Sequence, residues 1–115
     1  MGLDGLELYE SPPGKSPVED FLLGIQDVKL LDKVIRRLRR LDRFGYRNRG
    51  EYPKPVRGYE PLWEDRVKHI RFLFFECPNG NIVLLHAFSK KGRKIAKRDL
   101  KTARERMRNY EERKR

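Results

Sequence analysis

The sequence predicts one α+β domain in which an N-terminal strand and two helices pack on an antiparallel sheet, with a basic helix at the C-terminus. Three observations predict it. Residues 16–44 carry apolar residues at helical spacing, residues 62–89 are rich in β-formers broken by turn residues, and residues 97–112 return to helical spacing with cations on most of the remaining positions. At 115 residues the chain suits a single domain with a modest core, residues 1–115 throughout, with residues 46–61 as an internal loop.

Taken in order, Leu6, Leu8 and Tyr9 suggest a short first strand. Ser16 then reads as a helix N-cap, with Pro17 at the first helical position and Glu19 completing a capping box. Val18, Phe21, Leu22 and Ile25 share one face of that helix, and Gly24 with Gln26-Asp27 interrupts or ends it. The second helix runs from about Val28 to Phe44 and stops at Gly45. Leu31, Val34, Ile35, Leu38 and Leu41 form its apolar stripe, while Arg36, Arg37, Arg39, Arg40 and Arg43 lie mostly outside and read as a solvated face.

Tyr46 to Pro61 is a loop by composition, broken by Gly50, Pro53, Pro55 and Gly58. It alternates aromatics with cations: Tyr46, Arg47, Arg49, Tyr52, Lys54, Arg57, Tyr59. Aromatic faces among cations suit RNA bases and phosphates. The same tyrosines also read as anchors holding the loop on the core.

Three strands follow, Leu62–Asp65, Val67–Cys77 and the run from Ile82. Pro78-Asn79-Gly80 suits a type I turn closing in a left-handed glycine bulge. That three-residue loop sets Cys77 against Asn81, Phe74 against Leu84, Phe72 against His86 and Arg71 against Ala87. Ile70, Phe72, Phe74, Leu84 and Phe88 then share the face against the helices, which also takes His86, and Arg71 points the other way. A cation inside so apolar a strand is costly unless paired or facing water. The final helix, roughly Lys97 to Glu112, docks through Leu100, Ala103, Met107 and Tyr110.

Charge narrows the function. The formal net charge is +11, and residues 90–115 hold thirteen Lys and Arg against four Asp and Glu, so nine of the eleven excess charges lie there. A nucleic acid or an acidic protein is the natural counterweight. Ile82–Leu85 reads as a strand buried on both faces that ends in Lys90, Lys91, Arg93 and Lys94 around Gly92, an arrangement suited to a polyanion. It also reads as a strand followed by a solvated basic loop. Cys77 is the single cysteine, and His69 and His86 lack zinc-motif spacing, so no disulfide, metal or cofactor is expected. The absence of a signal-like N-terminus or a span-length apolar run predicts a cytoplasmic protein without a membrane partner.

Leu62-Trp63-Glu64-Asp65-Arg66, Ile70-Arg71-Phe72 and Leu85-His86-Ala87-Phe88-Ser89-Lys90-Lys91, in this order over about residues 16–110, resemble the RelE/ParE superfamily of bacterial toxins. The phage-derived HigB-like branch is the most similar. Asp65, where an apolar residue is usual, and Ala96, where a Ser/Thr-Pro helix start is common, depart from it. The resemblance implies the toxin of a type II toxin–antitoxin system, an mRNA interferase acting without metal on the ribosome. It also implies an antitoxin partner with a helix-turn-helix DNA-binding domain.

RNA carries its own nucleophile, so such an enzyme needs alignment of the 2′-hydroxyl and stabilisation of charge at phosphorus. Arg71 and Arg66 are the candidates to grip the phosphate, because a guanidinium offers a fixed fork. Lys90, Lys91 and Lys94 are candidates for charge stabilisation and proton transfer. Arg93, Arg57, Lys54 and Lys97 are candidate RNA contacts. His86 and Tyr110 are weaker candidates, since the register sends His86 into the core and Tyr110 belongs to a docking stripe. Two other readings stay open: a ParE-like inhibitor of DNA gyrase without nuclease activity, and a non-catalytic RNA- or ribosome-binding module.

Overall fold

The computed structural model of the chain describes residues 5–45, 50–90, 92 and 94–114. Three helices and five strands follow in the order β1 (Leu6–Leu8), α1 (Pro17–Leu23), α2 (Val28–Phe44), β2 (Lys54–Pro55), β3 (Trp63–Val67), β4 (Ile70–Glu76), β5 (Ile82–Ser89) and α3 (Lys97–Arg113). The helix signals act as their chemistry requires. Ser16 accepts from the Glu19 N–H at 3.3 Å, Asp27 accepts from Lys29 and Leu30, and Gly45 ends α2 at φ 71° with its N–H on the Leu41 carbonyl.

The strands form one sheet in the order β1-β5-β4-β3-β2. It is mixed, not antiparallel as the sequence suggested, because β1 runs parallel to β5. The intervening chain, with α1 and α2, makes a crossover long enough to return β1's direction beside β5. Two strand assignments also shift. The segment read as one strand from Val67 contains a tight turn at Lys68-His69, with Lys68 at φ 57°, and the loop at residues 46–61 contains the two-residue β2.

Both sheet faces are covered. Val18, Leu22, Val34, Leu38 and Leu41 of α1 and α2 pack on Ile70, Phe72, Phe74, Ile82, Leu84 and Ala87. On the other face Leu100, Ala103, Met107 and Tyr110 of α3 pack on Leu73, Phe75, Val83, Leu85 and Phe88. Alternate residues of β4 therefore feed two separate cores, as period-2 geometry demands. Tyr59 joins the second core, which makes it an anchor of its loop.

The register is corrected halfway along the β4–β5 hairpin. Near the turn it follows expectation: Cys77 bonds Asn81, Gly80 sits at φ 90°, and Phe74 faces Leu84. The ladder then shifts at Leu73/Phe74, so Leu73 faces His86, Phe72 faces Ala87 and Arg71 faces Phe88. Leu85 is the extra residue of a β-bulge. It inverts the alternation beyond it, sending Phe88 to the α3 core and removing His86 from the α1–α2 face.

Candidate nucleic-acid interface

The sheet brings several of the expected cations to one end. Arg66 and Arg71 are cross-strand partners, Ile70 pairs with Ser89, and the Lys90 N–H donates to the His69 carbonyl at 2.8 Å. Arg66 and Arg71 are thus ladder neighbours at roughly 5 Å spacing, and the Lys90 backbone meets the β3–β4 turn that carries Lys68. Arg66 and Lys68 are exposed and Lys90 is half-buried. Lys54 enters the group through β2, opposite Glu64. Its ammonium lies 4.8 Å from the centre of the Tyr52 ring, and the Arg66 guanidinium lies 4.7 Å from the same ring. One aromatic ring therefore holds two of the cations in place.

Arg71 departs from expectation. It lies on the α3 side beside Phe88, not beside Ala87, and is only 7% exposed. Its Nη1 donates to the Lys68 carbonyl at 2.6 Å and to the Ile70 carbonyl at 3.1 Å, while its Nε stands 3.7 Å from Glu64 Oε2, too far for a hydrogen bond. That Nε is buried without a hydrogen-bond partner, and Glu64, its counter-charge, is itself 6% exposed. Arg71 is a buried charge beneath the cationic end, braced on the β3–β4 turn that presents Lys68.

His86 lies under α3. Its Nε2 is 2.8 Å from Asp99 Oδ1 and its Nδ1 is 3.2 Å from Arg106 Nη1, which also donates to the Leu85 carbonyl at 2.9 Å. Arginine can only donate, so Nδ1 must accept, and the proton sits on Nε2, facing the carboxylate. Burial lowers the His86 pKa from its usual 6.5, against the opposing hydrogen bond to Asp99. Both ring nitrogens are engaged and the ring stacks on Phe88 at 5.0 Å. The histidine ties β5 to α3.

The remaining candidates are dispersed. Lys94 and Lys97 are exposed on the approach to α3 and its first turn, and Arg57 is exposed in the loop before β3. Lys91 and Arg93 lie outside the described residues, as do Tyr46, Arg47 and Arg49. Tyr110 is buried edge-on to Phe75 at the opposite end of the sheet, where a hollow of about 580 Å³ is lined by Glu7, Cys77, Asn81 and Lys114. Burial and a hydrogen bond with Glu7 push its phenol far up, away from any acid–base role at neutral pH.

Sequence reasoning passed over Lys68 and Arg106, and it read Arg37 as part of a solvated face where the structure pairs it with buried Asp65. Arg106 falls between Ala103 and Tyr110 at helical spacing, which places it beside the docking stripe, and Arg37 flanks Val34 and Leu41 in the same way. Asp65 is fully buried and ion-paired with Arg37 at 2.9 Å; it does not neutralise the Arg66 side chain.

The family model for phage-derived Gp49-like proteins (DUF891) matches residues 22–108, a span that contains every strand from β2 to β5 and most of α3. No curated protein matches the chain.

Proposed function

Since the chain belongs to the phage-derived Gp49-like family, a RelE-like toxin family associated with toxin–antitoxin systems, we propose that it is a HigB-like toxin acting as an mRNA interferase. The observation that carries this reading is the gathering of Arg66, Lys68 and Lys90 on one sheet end above the buried charge of Arg71. Such a surface favours a phosphodiester over a neutral substrate.

In the proposed reaction the 2′-hydroxyl of one nucleotide loses its proton and its oxygen bonds to the adjacent phosphorus. The bond from phosphorus to the 5′-oxygen of the next nucleotide breaks, and that oxygen takes up a proton. The products are a 2′,3′-cyclic phosphate and a 5′-hydroxyl. Arg66 and Lys68 hold the non-bridging oxygens, and Lys90 or its neighbours Lys91 and Lys94 serve proton transfer and further charge stabilisation. Arg71 acts from beneath, offsetting the Glu64 carboxylate and bracing the turn that presents Lys68, without touching the phosphate. Lys54, Arg57, Arg93 and Lys97 guide the flanking RNA. The ribosome presents the messenger, and a cognate antitoxin with a helix-turn-helix domain, encoded in a neighbouring frame, silences the toxin.

Primer extension on messenger RNA after pulsed expression tests this. Codon-linked cuts that fall at least tenfold with Arg66→Ala or Lys90→Ala support the nuclease. Growth arrest with intact messenger and accumulated gyrase–DNA breaks overturns it in favour of a gyrase inhibitor.

A further inference from the structure

The outward face of α3 carries a second set of cations, which shares only Lys97 with the residues assigned to the flanking messenger. Lys97, Lys101, Arg104 and Arg108 recur at intervals of four, three and four residues, which places them in one line along the helix. All four are exposed, as is Arg98 beside them. The line runs over eleven residue steps, from Lys97 to Arg108, or ~16 Å at the helical rise. Its other side is Tyr59, and these residues together border a shallow groove in which Glu105 is the single carboxylate. Glu105 is only loosely engaged, 3.9 Å from Lys101.

The groove offers charge without stacking or anchoring surfaces. Tyr59 is its one aromatic, half-buried, and the Arg104 guanidinium lies 5.5 Å from the ring centre, over its face. Single-stranded RNA is held by successive bases on open aromatic faces, and none is offered here. A protein partner is held by aromatic or aliphatic anchors in fitted pockets, and the groove provides none of those. A rigid helix with evenly pitched cations suits instead a rigid polyanion read through its phosphates, which is how double-stranded RNA is bound.

We propose that this α3 face binds the phosphate backbone of double-stranded RNA, on a surface distinct from the cationic end of the sheet. The messenger reading is not required for it. The tethered duplex fixes the molecule's orientation, whatever is cut elsewhere.

The test uses a 2′-O-methyl RNA duplex of about 16 base pairs, which retains A-form phosphates but offers no 2′-hydroxyl to attack. Its binding is therefore read independently of any nuclease activity. Lys101→Gln/Arg104→Gln/Arg108→Gln is expected to bind at least ~10-fold more weakly at 0.1 M salt, with the slope of log affinity against log salt reduced by about 2 to 3. A charge-preserving variant, Lys101→Arg/Arg104→Lys/Arg108→Lys, is expected to bind like the unsubstituted chain, and equal thermal midpoints establish that all three are folded. Unchanged affinity and slope in the glutamine variant overturn the proposal. So does equal loss in the charge-preserving variant, a greater loss of single-stranded than of duplex affinity in the glutamine variant, or displacement of the duplex by an acidic peptide at a lower concentration than by competing duplex.

Discussion

Arg37 of α2 and Asp65 of β3 form a buried ion pair, the carboxylate fully enclosed and the guanidinium reaching it at 2.9 Å while a second nitrogen donates across at 2.9 and 3.1 Å. Arg37 also donates to the Tyr52 carbonyl at 2.7 Å, so one side chain joins a helix, a strand and the loop between them. Breaking the pair strands a carboxylate in the core. Arg37→Met is expected to destabilise the fold by about 3–5 kcal/mol, and Arg37→Met/Asp65→Leu to recover most of that loss. Urea unfolding of the single and double variants checks it, and a double variant no better than the single contradicts it.

Arg71 is expected to be as much a stability residue as a functional one. Arg71→Met removes two hydrogen bonds to the β3–β4 turn and leaves Glu64 buried without its counter-charge, at a cost of about 3 kcal/mol. Loss of activity in an Arg71 variant must therefore be read beside its unfolding midpoint. Arg66→Ala, at an exposed position, is expected to shift that midpoint by less than about 0.5 kcal/mol.

His86 makes stability fall in mild acid. Burial holds its folded pKa below 6.5, so below that pH the unfolded chain binds a proton that the folded chain refuses. Its contribution is present in full above about pH 6.5 and declines as the pH falls through the folded value. Urea midpoints from pH 8 to pH 5 are expected to drop in the parent and to drop less in His86→Gln. Parallel curves would exclude the histidine as the source.

Helix α3 begins without a side-chain cap. Ala96 already has the extended backbone of an N-cap residue, φ −63° and ψ 143°, but no oxygen to offer. Ala96→Ser is expected to stabilise the chain by about 1 kcal/mol, read as a rise in thermal midpoint. No rise would mean that the first turn's N–H groups are already satisfied.

Legibility in the sequence followed the range of the interactions. The helices were readable, α1 from Ser16, α2 from Gly45 and its apolar stripe, and α3 from its stripe alone, because caps and stripes are local. The Pro78-Asn79-Gly80 turn fixed the register for the residues nearest to it. The bulge at Leu85 was not readable, because Leu85 is apolar like its neighbours and only packing against α3 decides which side it takes. With it went the sides assigned to His86 and Phe88. The turn at Lys68-His69 was hidden for a related reason, since neither residue is a usual turn former and Lys68 adopts positive φ without glycine. At the candidate interface the strand-end cations were visible as composition. The burial of Arg71 was not, because it depends on Glu64, two positions along β3 from its cross-strand partner Arg66.

The extra residue in β5 works as a parity switch. Pair Leu85 into the ladder instead of bulging it out, and every side chain after it would change sides: the imidazole would abandon its carboxylate and guanidinium on the last helix for space now filled by a methyl group. Deleting Leu85 would instead keep the present partners of His86, Ala87 and Phe88, so the fastening of α3 depends on this residue staying out of the ladder.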